Sequence, residues 1–245
     1  MRHVEVHHLE LMTADGPMSI SVAEPQTGTT SIRGAVIVVQ EAFGVNHHIE
    51  DVCQRFAAAS WLAISPTLYH RAGSPTFAYD DLTGIREALS SFTASGIGTD
   101  LDACHNYLAG RGFGLTQTAT VGFCMGGLVS LFAGTRRALG ASATFYGGGL
   151  GTSRFGLEPG NDMAARLQTP LLGLFGDLDQ SIPVDEVEQL RAAAAHTSAP
   201  SEIVRYATAD HGFHCDQRPN VFNSQAASDA WTRTLAWFDS HVARP

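Results

Sequence analysis

Gly122-Phe123-Cys124-Met125-Gly126-Gly127 restricts this chain more than any other stretch. A short apolar run, Ala119-Thr120-Val121, precedes it, and an apolar segment with helical character, Leu128 to about Leu139, follows. A strand that turns directly into a helix through G-x-nucleophile-x-G holds its central residue in a strained backbone conformation. A Cβ at either flanking glycine would collide with the neighbouring strand or helix. The residue at the tip is cysteine rather than serine. Nucleophilic chemistry from such a turn needs three further parts: a base, an acid to orient it, and donors for an oxyanion.

The remaining pattern alternates strands with helices. Val4 and Val6, then Leu9 and Leu11, alternate with polar residues, but the phase slips by one across His7-His8, as a bulge there would explain. Met18, Ile20 and Val22 continue the alternation after Ala14-Asp15-Gly16-Pro17, so the two segments read as an antiparallel hairpin at a sheet edge. A polar loop, Pro25 to Arg33, leads to Ala35-Val36-Ile37-Val38-Val39, whose unbroken apolar character predicts a central strand buried on both faces. Ile49, Val52, Cys53, Phe56 and Ala57 mark one helical face behind Asn46 as N-cap. Leu62-Ala63-Ile64 is a short strand, residues 67 to 80 a loop, and Asp81–Phe92 and Thr99–Leu108 helices.

Beyond the elbow, Ala143–Tyr146, Leu171–Phe175 and Ile203–Tyr206 read as strands. Residues 150 to 168 read as a loop, and Val184–His196 and Ala226–Val242 as helices. Such alternation implies an α/β fold with a mostly parallel sheet covered on both faces, and function at the carboxyl ends of its strands.

Composition narrows the function. The 245 residues suit one large α/β domain, residues 1–245, and 44% hydrophobic with 16% charged residues suits a folded globule. A formal net charge of -9 without any Lys/Arg block argues against nucleic acid or an anionic membrane as partner. The N-terminus lacks the apolar core of a secretory signal, and four scattered cysteines form no C-x-x-C pair. A cytoplasmic protein with reduced thiols is the expectation. Cys53 and Cys104, on apolar helical faces, read as small buried hydrophobes.

Elbow enzymes of the α/β-hydrolase type place nucleophile, acid and base in that chain order, each after a strand. Asp179 follows Leu171–Phe175 and His211 follows Ile203–Tyr206, with Asp177 an equal competitor for the acid on spacing. Glu41 stands immediately after the most apolar strand, where it is either solvated at the strand end or held in the cleft, because unpaired burial would cost several kcal/mol. The backbone N–H groups of Met125 and Ala42 are the oxyanion-hole candidates.

Gln40–Asn46 (QEAFGVN), Pro66–Tyr69 (PTLY), Gly122–Gly127 (GFCMGG) and His211–Phe213 (HGF) together resemble the dienelactone hydrolase (carboxymethylenebutenolidase) family, in order along nearly the whole chain. The resemblance implies an α/β-hydrolase fold, a Cys-His-Asp triad of Cys124, His211 and Asp179, and hydrolysis of a small-molecule ester or lactone without a cofactor or metal. It implies that Glu41 engages the resting thiol and is displaced when substrate arrives. It also gives Arg71, Tyr69 and Phe43 substrate-binding places. A second family arginine falls at Cys215 here, leaving Arg86 and Arg218 as alternatives.

Three rival readings exist, one of them a member of the fold that has lost catalysis and serves as a binding module. A glutamine-amidotransferase-like cysteine enzyme also pairs an elbow cysteine with a strand-end glutamate, but Met125 stands where those enzymes usually carry histidine. A non-catalytic metal-binding module could use His211, His214, Cys215 and Asp216, although no second cluster completes a zinc shell. His3, His7 and His8 read as solvated on the edge hairpin.

Overall fold

Eight strands hydrogen-bond into one sheet in the order β1-β2-β4-β3-β5-β6-β7-β8. In the computed structural model, which describes residues 4–26 and 32–245, they are β1 (Val6–Thr13), β2 (Gly16–Ala23), β3 (Ala35–Val39), β4 (Leu62–Pro66), β5 (Thr118–Phe123), β6 (Ala141–Phe145), β7 (Leu171–Gly176) and β8 (Ser201–Tyr206). The β1–β2 and β2–β4 pairings are antiparallel, and every pairing from β4 to β8 is parallel. His3 and part of the 25–33 loop lie outside the described residues.

Seven helices are described: α1 (His47–Ala58), α2 (Leu82–Leu89), α3 (Ala94–Gly110), α4 (Met125–Arg136), α5 (Gly160–Ala164), α6 (Val184–Ala194) and α7 (Ser224–His241). Phe56 of α1 packs on Trp231 and Phe238 of α7 over one sheet face. Helices α3 and α4 cover the other, with α5 packed between α4 and α6. β3, fully buried, lies in the middle of the sheet as its apolar run predicts. This is the α/β-hydrolase architecture, and its parallel strands deliver the ends of β3, β5, β7 and β8 to one edge. Among the described residues no helix is long and apolar enough to cross a membrane.

Five local expectations change. β1 pairs with β2 without interruption from Val6↔Ala23 to Thr13↔Gly16, so no bulge forms at His7-His8. An edge strand with Leu9 exposed is under little pressure to keep one apolar face, and the turn contracts to Ala14-Asp15. The 67–80 loop contains a 3-10 turn, His70–Ala72, and the 150–168 loop contains α5.

α3 begins five residues before Thr99, at Ala94, because Thr93 caps it by accepting from the Gly96 N–H at 3.0 Å. Gly96 and Gly98 weaken the helical signal in the sequence, but they let arginines lie against the helix. A Cβ at either would stand 3.1 Å from the guanidinium carbon of Arg71 or Arg136.

That approach forms a buried ionic node. Asp100, fully buried on α3, accepts from Arg71 Nη1 at 2.8 Å and Nη2 at 2.9 Å, and lies 3.0 Å from His70 Nε2. Removing the Asp100 charge leaves Arg71 with only the exposed Asp15 as counter-charge and takes the buried partner away from His70. Asp100→Asn should therefore lose about 1.5–3 kcal/mol of unfolding free energy, the worth of a charged hydrogen bond, measured by urea denaturation. A loss under about 1 kcal/mol, typical of surface pairs, would show the node to be peripheral.

Candidate active site

Close packing creates the site. Cys124 caps β5 and precedes α4 with φ 54° and ψ -117°, a combination that L residues rarely adopt. A Cβ at Gly122 would stand 1.8 Å from the Gly126 carbonyl oxygen. One at Gly126 would stand 2.4 Å from the Gln40 carbonyl, and one at Gly127 2.6 Å from Thr144 Oγ1. The glycines thus let α4 start hard against the ends of β3 and β6. Beneath the elbow, Thr120, Ser130 and Ser142 share a buried hydroxyl network, with Thr120 Oγ1 2.8 Å from Ser130 Oγ, which joins β5, α4 and β6.

His211 and Asp179 come together as the chain order predicts. His211 Nδ1 lies 2.6 Å from Asp179 Oδ2. The other carboxylate oxygen accepts from the Ser181 N–H at 2.8 Å and its hydroxyl at 2.6 Å. Asp177 points elsewhere, held by Arg205 through Nε at 2.7 Å and Nη2 at 2.9 Å. Of the two carboxylates that spacing left open, Asp179 is the one that lies beside the histidine.

The electrostatics follow the contacts. Burial would lower the His211 imidazole, but the Cys124 sulfur and the Asp179 carboxylate outweigh it and hold the imidazole well above its ordinary range. Burial would raise Asp179, but the bonds from His211 and Ser181 prevail and hold it below the usual carboxylate range.

Ala42 lies in the turn that the Gly44 N–H closes onto the Glu41 carbonyl at 3.2 Å. Met125 opens α4, and among the described residues neither its N–H nor that of Ala42 has a hydrogen-bond partner. The Tyr69 hydroxyl donates to the Ala42 carbonyl at 3.0 Å, and Gln40 ties the same turn to the Leu68 N–H at 3.0 Å. Burial first, and then nearby Cys124, push the Tyr69 hydroxyl upward. Phe43 is buried edge-on to Tyr79, with ring centroids 4.6 Å apart.

Other expected partners are placed differently. Glu41 is fully buried, yet neither carboxylate oxygen makes a hydrogen bond, so it does not bond the Cys124 thiol in this structure. It faces Tyr146 instead, whose hydroxyl is raised by burial and by Glu41, Cys215 and Cys124 together. Arg71 is not free to meet a substrate carboxylate. Besides Asp100, it donates to Asp15 through Nε at 2.8 Å and Nη2 at 2.6 Å, so its fork is saturated by the protein's own acids.

Arg86 is exposed on α2. Arg218 stands 5.4 Å from the centroids of both Phe43 and Tyr79, its guanidinium against Gly212, and among the described residues it has no acidic partner.

The quartet His211, His214, Cys215 and Asp216 does not assemble. His211 pairs with Asp179, Asp216 bonds Arg55 at 2.7 Å, and His214 is buried among Phe123, Phe145 and Trp231. Burial and the neighbouring His48 keep His214 well below the ordinary range, and so neutral. His8 sits on the edge hairpin, exposed, with Nδ1 3.3 Å from Ser21 Oγ.

Three site residues escaped the sequence reading. Tyr146, with φ 39°, packs its ring 5.1 Å from that of His211. Its position at a strand end before Gly147-Gly148-Gly149 is a usable signal. Ser181, two residues beyond Asp179, had only proximity to recommend it. His48 lies one turn before Val52 on the apolar face of α1, a polar residue where the pattern requires burial.

Comparison with known proteins agrees with this geometry. The family model described as "Dienelactone hydrolase family" matches residues 21–242. A proposed carboxymethylenebutenolidase of Escherichia coli O157:H7 is 34% identical over 241 residues, 98% of this chain and 83% of that protein. One from Methylorubrum extorquens is 36% identical over 207 residues, 83% of this chain and 70% of its own. The crystal structure of a proposed dienelactone hydrolase from Klebsiella pneumoniae superposes with a TM-score of 0.88 at 35% identity, covering 96% of this chain and 98% of that one. A dienelactone hydrolase-like promiscuous phosphotriesterase from metagenomic libraries, at 19% identity and TM-score 0.79, shares the fold.

The His211–Asp179 pair fixes a pH dependence. A depressed Asp179 stabilises the fold above its unfolded value of about 3.9, and that contribution fades as pH falls through the folded value. A raised His211 stabilises below its unfolded value of about 6.5, and that contribution fades as pH rises through the folded value. Asp179→Asn should therefore lower the melting temperature most between about pH 4 and about pH 6.5, with the gap narrowing on both sides. A gap independent of pH would rule the pair out as its source.

Proposed function

The chain belongs to the dienelactone hydrolase family, and on that premise we propose that it hydrolyses a small carboxylic ester or lactone through an acyl-cysteine intermediate. The observation that carries the reading is the strained Cys124 at the start of α4 with the His211–Asp179 pair alongside it. With Nδ1 held by Asp179, His211 presents Nε2 to the thiol and takes its proton as the sulfur attacks the acyl carbon. The Met125 and Ala42 N–H groups stabilise the oxyanion. They are uncommitted in this structure, and Met125 adds the positive end of α4. His211 then returns the proton to the leaving alcohol and later activates the water that releases the acid.

Glu41 enters this scheme as a buried charge behind Tyr146, which feels both the carboxylate and the thiol. Tyr69 steadies the turn that carries Ala42.

Arg218 takes the part first assigned to Arg71. Its uncompensated guanidinium, flanked by the Phe43 and Tyr79 rings and lying against Gly212, supports a carboxylate on the substrate. Reduced thiols and a cytoplasmic setting complete the reading, since an oxidised Cys124 cannot attack.

A panel of activated esters and enol-lactones tests the chemistry. Cys124→Ala should abolish turnover while keeping the fold, and equal rates in variant and wild type would sink the reading. Arg218→Gln should raise KM for carboxylate-bearing esters by roughly tenfold or more, the worth of about 1.5–3 kcal/mol for a charged hydrogen bond. Neutral esters should be hydrolysed unchanged. A uniform loss across both substrate types would remove Arg218 as the carboxylate holder.

A further inference from the structure

Three buried side chains from separate segments converge without satisfying one another. Glu41 follows β3, His48 belongs to the first turn of α1, and Cys215 lies in the loop between β8 and α7. All three are fully buried, and one ligand atom from each lies within 4.8 Å of the other two. Neither ring nitrogen of His48 has a hydrogen-bond partner, and neither oxygen of Glu41 meets a donor at full hydrogen-bond geometry, with the Tyr146 hydroxyl only loosely placed toward it. The Cys215 sulfur meets the Tyr79 hydroxyl at 3.5 Å and the Gln217 N–H.

Native interiors rarely leave such groups unpaired, because each costs its full desolvation. Four such atoms on two neighbouring side chains are therefore a signal.

From this convergence we infer that Glu41, His48 and Cys215 form a binding site for a divalent cation of the zinc class. The donor set decides the class. One carboxylate oxygen, one imidazole nitrogen and one thiolate suit zinc and the late first-row metals, whereas magnesium and calcium take oxygen ligands. Charge balances as well: a carboxylate and a thiolate neutralise a dication, which removes the penalty of a lone buried charge. Binding replaces the Cys215 thiol proton with the metal, and that proton leaves to solvent.

Geometry is compatible. Zinc bonds of about 2.0–2.3 Å place tetrahedral ligands roughly 3.3–3.8 Å apart, so atoms already within 4.8 Å need only side-chain adjustment. Asp216 Oδ1 stands 3.9 Å from His48 Nδ1, the place of the outer carboxylate that orients a ligating imidazole. The fourth position falls to water or to the Tyr79 hydroxyl, which already touches Cys215. The site differs from the quartet suggested by sequence proximity, sharing only Cys215 with it. Of the residues in the hydrolytic scheme it shares Glu41 alone and uses none of Cys124, His211 and Asp179, so cobalt binding and ester turnover fail separately.

Cobalt is the probe, since it takes zinc sites and reports a bound thiolate by charge-transfer absorption in the near ultraviolet. Reduced full-length protein is titrated with cobalt chloride without oxygen, and bound metal is counted by elemental analysis. One ion per chain is expected, with a thiolate band that added zinc abolishes. Cys215→Ser and His48→Asn should each remove the band and weaken binding by more than the roughly 10–100-fold that loss of an outer-shell partner costs. Cys124→Ala should retain the band.

Absence of the band in wild type at stoichiometric cobalt overturns the proposal. So does its persistence in Cys215→Ser, or its loss in Cys124→Ala, which would move the metal to the triad thiol. Circular dichroism checks each variant. Should Cys215→Ser fail to fold, the wild-type, His48→Asn and Cys124→Ala spectra still decide.

Discussion

The contact between β5 and the start of α4 governs the rest of the molecule. With only 1.8 Å between a would-be Gly122 Cβ and the Gly126 carbonyl, no side chain fits at that crossing. The backbone can turn there only by holding Cys124 at φ 54°. Because Gly126 also lies against the Val39 and Gln40 carbonyls, the end of β3 is drawn onto the same point. One close approach therefore brings together the thiol, the uncommitted helix N-terminus and the turn carrying Ala42. Strain of about 1–3 kcal/mol at one residue is tolerable when so much surrounding packing enforces it.

Around that point the charged groups divide into two populations. Asp179 and His211 satisfy one another, with the acid buried and the imidazole a quarter exposed. Glu41, His48 and Cys215 lie deeper and remain unsatisfied. Tyr146 touches both populations. Its hydroxyl responds to Glu41, Cys215 and Cys124, and its ring packs against that of His211. A change of charge in the lower group therefore has a short route to the Cys124 thiol, through one aromatic side chain held at positive φ.

The remaining ionic groups are structural. Arg205 holds Asp177, and Asp100 holds Arg71, and in both cases a residue that resembled site machinery is committed to a neighbour. Arg218 is left over at the site because no acid of the chain reaches it among the described residues.

What the sequence by itself determined is what short stretches encode. The buried run of β3, the Asn46 cap of α1, the glycine spacing about Cys124 and the order Cys124, Asp179, His211 are all local steric or periodic properties. The elements that escaped were those whose local signal was weak. α3 starts in Ala-Ser-Gly-Ile-Gly because arginines from elsewhere require the glycines, and β1 tolerates an irregular pattern because it is a sheet edge. Tertiary structure alone decided that Asp179 and not Asp177 meets the histidine. It also decided that Arg71 is spent on Asp15 and Asp100, and that Glu41 lies beside His48 and Cys215 rather than bonding the thiol. Each outcome depends on which charge lies within a few ångströms across distant segments, and spacing along one chain carries no measure of that distance.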